Sequence, residues 1–145
     1  MGAPVTDNAQ TRDEAGTPSV RVLVVDDQPP FRRAANAVCS MTAGFNVVGE
    51  AESGEDAVDK AAKLTPDLIL MDINLPGING IEATRRITEA RPETVVVLLS
   101  TYKAEDLPGD ARQSGAVAYV NKEEFAPNIL QDLWSTRADG ALSGF

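Results

Sequence analysis

The sequence predicts an α/β fold: a doubly wound sheet of five parallel strands with helices on both faces. Beyond residue 18, short apolar runs alternate with segments of helix length, which is the pattern of repeated β-α-β units. Four of these runs also end in or beside polar residues, as expected where parallel strands deliver side chains to one edge of a sheet. The length of 145 residues fits a single domain with a substantial core.

The predicted strands are the short apolar runs, and the predicted helices fill the intervals between them. The strands fall at 20–25, 46–51, 67–71, 94–99 and 117–120. The first helix is expected to begin near Pro30, because proline suits a first helical turn, and to run to Ser40. Pro127 opens the last helix in the same way.

The second helix has a start and a stop signal. Ser53, with Asp56 three residues later, resembles a capping box that opens a helix reaching Leu64. Thr65-Pro66 ends it, because the residue before proline avoids helical dihedral angles. Its buried stripe is predicted to contain Ala57, Val58, Ala61, Ala62 and Leu64.

The signals in the second half of the chain differ in strength. Asn79 is a good N-cap, with Glu82 placed to reach back, so a helix is predicted over 80–90. In segment 103–114 the triplet Leu107-Pro108-Gly109 interrupts the helical pattern, and we expect a short or displaced helix there. Gly115 should end that segment. The last helix is clearly amphipathic, with one face formed by Phe125, Ile129, Leu130, Leu133 and Trp134.

Composition divides the chain and excludes several classes of function. Residues 1–18 are read as a disordered leader, 19–137 as the domain and 138–145 as a short tail.

No apolar run is long enough for a membrane span or a secretory signal, so a cytoplasmic protein is expected. A single cysteine, Cys39, excludes an intrachain disulfide, and the absence of histidine removes the commonest zinc ligand and any phosphohistidine chemistry.

The charge argues against direct binding to nucleic acid. The net charge is -9 and the pI is near 4.4, whereas nucleic-acid binding depends on neutralising phosphates. Five basic residues lie in helix-like patterns and are read as solvated helix faces: Arg32, Arg33, Arg85, Arg86 and Arg91.

Five polar residues at predicted strand ends form a candidate site. Asp26, Asp27, Asp72, Ser100 and Lys122 should meet at one edge of the sheet. Clustered carboxylates repel one another unless a cation compensates, and Mg²⁺ prefers oxygen ligands. By its charge, Asp72 could act as a nucleophile towards a phosphoryl group. Asp27 and Asp72 would bind Mg²⁺ directly, and Asp26 would act through water. Lys122 and Ser100 would bind phosphate oxygens.

Taken singly, each of these residues has a simpler structural interpretation. Asp26-Asp27 before a helix could serve as an N-cap, and Asp72 before a Pro-Gly turn could be a turn residue. Ser100 could be a structural residue at the end of a strand, and Lys122 could be an ordinary solvent-exposed lysine. Four strand ends are unlikely to supply this set by accident, so the joint occurrence favours the functional interpretation.

At these residues the sequence resembles the receiver domain of bacterial two-component response regulators. The resemblance covers about 19–137 and is carried by an ordered series of motifs. These are Val-Val-Asp-Asp at 24–27, Asp-Leu-Ile-Leu-Met-Asp at 67–72, Leu-Pro-Gly-Ile-Asn-Gly at 75–80, Leu-Leu-Ser-Thr at 98–101 and Gly-Ala-Val-Ala-Tyr-Val-Asn-Lys at 115–122. The overall pattern is closest to the branch that usually carries a helix-turn-helix output domain.

The resemblance implies a flavodoxin-like fold with strand order 2-1-3-4-5 and a set of residue roles. Asp72 would be the phosphoacceptor, and Mg²⁺ would be held by Asp26, Asp27, Asp72 and the backbone carbonyl of Asn74. Ser100 and Tyr119 would form a switch pair that alters the surface of the fourth helical segment, the fifth strand and the last helix. The implied donor is a histidine kinase or a phosphotransfer protein, and the output is an unknown protein contact, with a homodimer possible.

The chain also departs from the family pattern. No output domain follows, so a stand-alone receiver or a shortened piece of a longer protein is expected. Thr101 stands where alanine is common and would narrow access to the phosphate, and Glu123 stands where many receivers have proline.

Three other functions are less consistent with these residues. A phosphate-independent interaction module is disfavoured by the complete residue set. A Mg²⁺-dependent phosphatase is disfavoured because Asn74 replaces the proton donor such enzymes want two positions after the nucleophile. Flavin or nucleotide binding lacks a glycine-rich loop after the first strand.

Overall fold

The computed structural model describes residues 19–137 and shows one parallel sheet. The strand order is β2-β1-β3-β4-β5, as predicted. The strands are β1 (Val20–Val25), β2 (Phe45–Ala51), β3 (Leu68–Asp72), β4 (Val95–Ser100) and β5 (Ala118–Asn121). The α-helices are α1 (Pro29–Ser40), α2 (Gly54–Leu64), α3 (Gly80–Ala90) and α4 (Pro127–Ser135). The predicted leader, 1–18, and tail, 138–145, lie outside the described residues.

The sheet has a hydrophobic core on each face. Alternate side chains of β1 point to opposite faces, so Leu23 and Val25 enter one core while Val22 and Val24 enter the other. The helices α2 and α3 cover the first core, and α1 and α4 cover the second. Among residues 19–137, no helix combines the length and apolar character that crossing a membrane requires.

Helix α2 confirms its predicted start and corrects part of its predicted stripe. The Ser53 side chain accepts a hydrogen bond from Asp56 N at 3.0 Å. In a capping box the Asp56 carboxylate would accept a hydrogen bond from the N–H of the N-cap, Ser53. It accepts instead from Glu52 N, one residue earlier, at 3.3 Å. The prediction that Ala62 is buried was wrong: it is exposed, because its neighbour Ala61 occupies the sheet-facing position of that turn.

Helix α3 begins where the sequence predicted. Asn79 Oδ1 accepts from Glu82 N at 2.9 Å, which satisfies one of the unpaired donors of the first turn. The Glu82 carboxylate does not reach back as expected and instead binds Arg85 and Arg86 on the next turn. These two arginines are exposed, as the interpretation of a solvated face required.

The segment between β4 and β5 contains no continuous helix. It forms two short 3-10 turns, Ala104–Asp106 and Ala111–Gln113, which confirms the prediction of a shortened helix. Pro108 lacks an N–H and cannot continue a helical ladder, so the chain bends between the turns. Gly115 then follows with φ +101°, a backbone conformation that favours glycine.

Helix α4 buries the face predicted from its pattern. Leu130 and Leu133 are buried, and Phe125, Ile129 and Trp134 pack partly against the same core. The Trp134 ring meets Phe45 edge-on with centroids 6.4 Å apart. Because Phe45 begins β2, Trp134 lies at the amino edge of the sheet, opposite the strand ends that carry the candidate site.

Candidate functional site

Three carboxylates meet at the carboxyl edge of the sheet, between the adjacent strands β1 and β3. Asp26 and Asp27 directly follow β1, and Asp72 is the last residue of β3. Each of the three offers a carboxylate oxygen, and these oxygens lie within 4.8 Å of one another. In a doubly wound sheet this is the point where successive connections leave in opposite directions, which opens a crevice for a ligand.

Asp26 is completely buried, and all four of its polar atoms have protein partners. Its N–H donates to Ala51 O at 3.0 Å, and its carbonyl accepts from Arg32 Nη1 at 2.6 Å. Its Oδ1 accepts from Gln28 N at 2.8 Å, and its Oδ2 accepts from Lys122 Nζ at 2.6 Å. Asp26 is therefore fixed in place. Asp27, which is exposed, is the more accessible ligand.

Asp72 is nearly buried, and its environment disfavours the charged carboxylate. Burial and the negative charge of Asp26 raise the pKa of Asp72 from 3.8 to about 6. The opposing influences are weaker: the charge and hydrogen bond of Lys122, and a backbone hydrogen bond from Asn74. A second positive charge at this position would stabilise the ionised carboxylate.

Lys122 lies between the two buried carboxylates. Its Nζ is 2.6 Å from Asp26 Oδ2 and 3.4 Å from Asp72 Oδ1. It also lies 4.6 Å from the centroid of the Phe31 ring, within range of a cation-π contact from α1. The interpretation of Lys122 as an ordinary exposed lysine is wrong, because its side chain is only 16% exposed.

Ser100 and Tyr119 meet at the ends of β4 and β5. Ser100 is buried, and its Oγ accepts from Tyr102 N at 3.4 Å. The Tyr119 ring is also buried, and its single hydroxyl proton is shared between Ser100 O, at 3.0 Å, and Tyr102 O. The two predicted switch residues are thus linked through the backbone of the β4 end.

Tyr102 joins three loops above the site. Its carbonyl accepts from Asn121 Nδ2 at 3.2 Å as well as from Tyr119. Its own hydroxyl donates to Asn74 Oδ1 at 3.4 Å, which connects the β4 loop to the β3 loop. The side chain of Asn74 is therefore engaged with Tyr102, whereas its backbone binds Asp72.

The structure brings Asp26, Asp27, Asp72 and Lys122 together at the carboxyl edge of the sheet. It places Ser100 and Tyr119 in contact with each other at the ends of β4 and β5. It also adds four residues that the sequence analysis missed. The prediction that Arg32 lies on a solvated helix face was wrong, because its side chain is only 13% exposed and contacts Asp26. Arg33, predicted to lie on the same face, is exposed. Phe31, Tyr102 and Asn121 were not assigned to the site. Only Asn121, adjacent to Lys122 at a strand end, carried a usable sequence signal.

Two further observations concern the peptide that follows Lys122 and the N-cap of α1. The peptide bonds of residues 19–137 include no cis bond, so Glu123 follows Lys122 through a trans peptide. Gln28, not Asp26 or Asp27, occupies the N-cap position of α1, and its side chain makes no capping hydrogen bond. The acidic pair is thus not explained as a helix cap.

A doubly wound sheet with three clustered carboxylates, a lysine and a hydroxyl at its carboxyl edge is the arrangement of a receiver-type domain. The family comparison agrees: residues 22–133 match the response regulator receiver domain, and the chain belongs to that family.

Similar proteins place the chain among bacterial regulators. It is 40% identical over 112 residues to response regulator GacA of Pseudomonas viridiflava, covering 77% of this chain and 52% of that protein. It is 34% identical over 122 residues to transcriptional regulatory protein DegU of Brevibacillus brevis, covering 84% and 52%. The chain thus spans about half the length of these curated relatives.

Solved structures show the same fold. The signal receiver domain of the putative response regulator NarL from Mycobacterium tuberculosis superposes with a TM-score of 0.73 at 30% identity, covering 82% of this chain and 96% of that one. A CheX-CheY-BeF3-Mg complex from Borrelia burgdorferi gives a TM-score of 0.75 at 27% identity, covering 88% and 96%.

Proposed function

We propose that Asp72 accepts a phosphoryl group from a histidine kinase or phosphotransfer protein, and that this modification switches the protein's contacts with a downstream partner. The observation that carries the proposal is the convergence of three carboxylates with Lys122, whose Nζ lies 3.4 Å from Asp72 Oδ1. A cytoplasmic location is part of this proposal, because receivers of two-component systems are typically phosphorylated there.

The donor set fits Mg²⁺. The ion prefers carboxylate and carbonyl oxygens, usually with one or two carboxylates and several waters, and the acidic cluster offers oxygens of this kind. We assign direct contacts to Asp27 and Asp72 and, by family resemblance, to the Asn74 carbonyl. Asp26 would act indirectly, since it is completely buried and its carboxylate is already paired with Lys122 at 2.6 Å. When bound, the ion neutralises negative charge on the transferring phosphoryl group.

The residues of this chain then divide the remaining work. Asp72 attacks the phosphorus through a carboxylate oxygen, and the donor's leaving group departs with the electrons of the broken bond. Lys122, whose Nζ lies 3.4 Å from Asp72 Oδ1, would bind one phosphoryl oxygen. Ser100 accepts a hydrogen bond from Tyr102, and its own hydroxyl proton remains for a phosphoryl oxygen. In this arrangement the protein assists its own modification, and slow hydrolysis resets it.

The switch would run from Ser100 to the surface through Tyr119 and Tyr102. A phosphoryl oxygen that draws Ser100 inward displaces the backbone carbonyls that Tyr119 now binds. Because the connecting segment contains only short 3-10 turns, few helical hydrogen bonds oppose its movement. The result is a population shift between two arrangements of the β4 to β5 surface, which a partner protein or a second copy of the chain would recognise.

Phosphorylation with acetyl phosphate and Mg²⁺ tests the proposal. Mass spectrometry should show a single added phosphoryl group in the unmodified protein and none in Asp72→Asn. The control variant Asp110→Asn removes an exposed carboxylate elsewhere and should be phosphorylated normally. A group that still attaches in Asp72→Asn contradicts the assignment, and sustained phosphate release over many turnovers would instead identify a phosphatase.

A further inference from the structure

We propose that Arg32 is a positioning residue for the acidic cluster: it holds the peptide that joins Asp26 to Asp27 and thereby sets the affinity for Mg²⁺. The inference deepens the proposed function and depends on it, because it concerns the same metal site. Arg32 reaches the cluster through the backbone carbonyl of Asp26, so its effect on the metal ligands passes through the backbone.

The guanidinium group of Arg32 is anchored on two sides. Its Nη1 donates to Asp26 O at 2.6 Å, and its Nε donates to Glu50 Oε1 at 3.0 Å. Asn36 Nδ2 donates to the other oxygen of Glu50 at 2.9 Å, which fixes that carboxylate. The Glu52 carboxylate lies 3.9 Å from Nη2. The planar fork is therefore held in one orientation between the β1 end and β2.

This contact bears on Asp27 because of where the carbonyl lies. The Asp26 carbonyl belongs to the peptide unit that leads into Asp27, so fixing its plane limits the directions that the Asp27 carboxylate can take. Asp27 is exposed, whereas Asp26 is held by partners on every polar atom. The hydrogen bond from Arg32 to the Asp26 carbonyl therefore restricts the orientation of Asp27, the exposed metal ligand. Outer partners of this kind tune metal affinity.

The geometry of Arg32 matters here more than its charge. Glu50 and Glu52 offset the guanidinium charge, so its net electrostatic effect on the carboxylates is small. A lysine at this position would retain the charge but lacks the fork that reaches a carbonyl and a carboxylate together. Arg32→Lys consequently separates positioning from charge.

Isothermal titration with Mg²⁺ provides the test, with Arg33→Lys as the matched control one residue along the same helix. Arg33 is exposed, so its variant should bind Mg²⁺ like the unmodified protein. Arg32→Lys should weaken binding by about tenfold, the lower end of the effects seen for outer partners of metal ligands. Glu50→Gln, which keeps Arg32 but removes its carboxylate anchor, should weaken binding in the same direction by a smaller factor.

The Mg²⁺ dependence of acetyl phosphate labelling gives a second readout. In Arg32→Lys the half-saturating Mg²⁺ concentration should rise by the same factor, while the labelling rate at saturating Mg²⁺ approaches that of the unmodified protein. A variant with lowered thermal stability but unchanged Mg²⁺ affinity would show a merely structural role and overturn the inference. If the unmodified protein neither binds Mg²⁺ nor is labelled, the proposed function itself is wrong. If the unmodified protein binds Mg²⁺ and is labelled, but Arg32→Lys and Glu50→Gln bind Mg²⁺ with unchanged affinity, only the inference about Arg32 is wrong.

Discussion

Lys122 binds Asp26 more closely than Asp72: its Nζ lies 2.6 Å from Asp26 Oδ2 and 3.4 Å from Asp72 Oδ1. Asp26, which is completely buried, therefore interacts more strongly with the ammonium group. The negative charge of Asp72, the carboxylate proposed to react, is less compensated by Lys122. This arrangement leaves Lys122 close enough to Asp72 to reach an added phosphoryl group. It also makes Lys122 necessary for stability before any phosphate arrives.

Replacing Lys122 by methionine should destabilise the Mg²⁺-free protein by about 3 kcal/mol at neutral pH, since removing one partner of a buried pair leaves an uncompensated charge. Methionine retains an apolar stem beside Phe31, so the loss is mainly that of charge. Urea unfolding measures the effect, and Mg²⁺ should reduce it because the ion restores positive charge to the cluster.

Lys103→Met, at an exposed position, serves as the control for this change and should alter stability by less than about 0.5 kcal/mol. Equal losses in the two lysine variants, or a loss at Lys122 that Mg²⁺ leaves unaltered, would argue against the charge compensation.

Asp72→Asn should stabilise the Mg²⁺-free protein at pH 7.5 by about 3 kcal/mol, since each unit of pKa shift corresponds to about 1.4 kcal/mol. The folded state raises the pKa of Asp72 from 3.8 to about 6, so it holds the proton more tightly than the unfolded state. The ionised carboxylate therefore opposes folding above pH 6, and this cost fades as the pH falls from 6 to 4.

Urea unfolding of both proteins between pH 3 and pH 8 checks the sign. The stability difference should be greatest above pH 6 and absent near pH 3, and saturating Mg²⁺ should reduce it at pH 7.5. Asp110→Asn, at an exposed site, should show no such pH profile. A difference between the Asp72 proteins that is constant with pH would contradict the raised pKa.

Tyr119→Phe and Asn121→Ala should affect stability in a coupled way, because both side chains donate to the carbonyl of Tyr102. Either donor alone still satisfies that oxygen. Tyr119→Phe also removes the hydrogen bond to Ser100 O, and Asn121→Ala removes the acceptor of Glu123 N, so each single variant should cost about 1 to 2 kcal/mol. The double variant leaves the carbonyl without these two partners and should cost more than the sum of the singles. A double-mutant cycle in urea measures the coupling, and strict additivity would show that the two bonds are independent.

The sequence predicted the fold and the charged part of the site because both follow from local patterns. Apolar runs of strand length place Asp26, Asp72 and Ser100 at strand ends, and parallel strands bring those ends together. The strand boundaries moved by about one residue, which changed none of these placements. Pro108 similarly predicted the interrupted helix, since the missing N–H acts locally.

The remaining parts depend on contacts between distant segments, which no local pattern encodes. Arg32 and Arg33 are the same residue type on one helix, and only the packing of α1 against β2 makes the first a partner of Asp26 and Glu50. Tyr102 likewise reaches Asn74 only through the path of a loop. Ala62 was placed on the wrong side of α2 because alanine is compatible with either face of a helix.

Gly80→Ala should disturb the site through the backbone of Asp72. A Cβ at Gly80 would lie 2.0 Å from Asp72 O and 2.9 Å from Ile73 Cα, and these backbone atoms cannot move aside without shifting the end of β3. Gly80 N also donates to Ile73 O at 2.8 Å, so the start of α3 is tied to that strand. We expect a loss of about 2 kcal/mol in urea unfolding and a weaker affinity for Mg²⁺.

Gly109→Ala offers the matched comparison, because a Cβ there has no atom within 4 Å and the residue lies in an exposed loop. Its stability should stay within about 0.5 kcal/mol of the unmodified protein, and its Mg²⁺ affinity should be unchanged. Should Gly80→Ala lose stability yet bind Mg²⁺ normally, the end of β3 would have to tolerate displacement without moving the Asp72 carboxylate. That result would contradict the view that the close approach of α3 to the β3 terminus holds the acceptor in place.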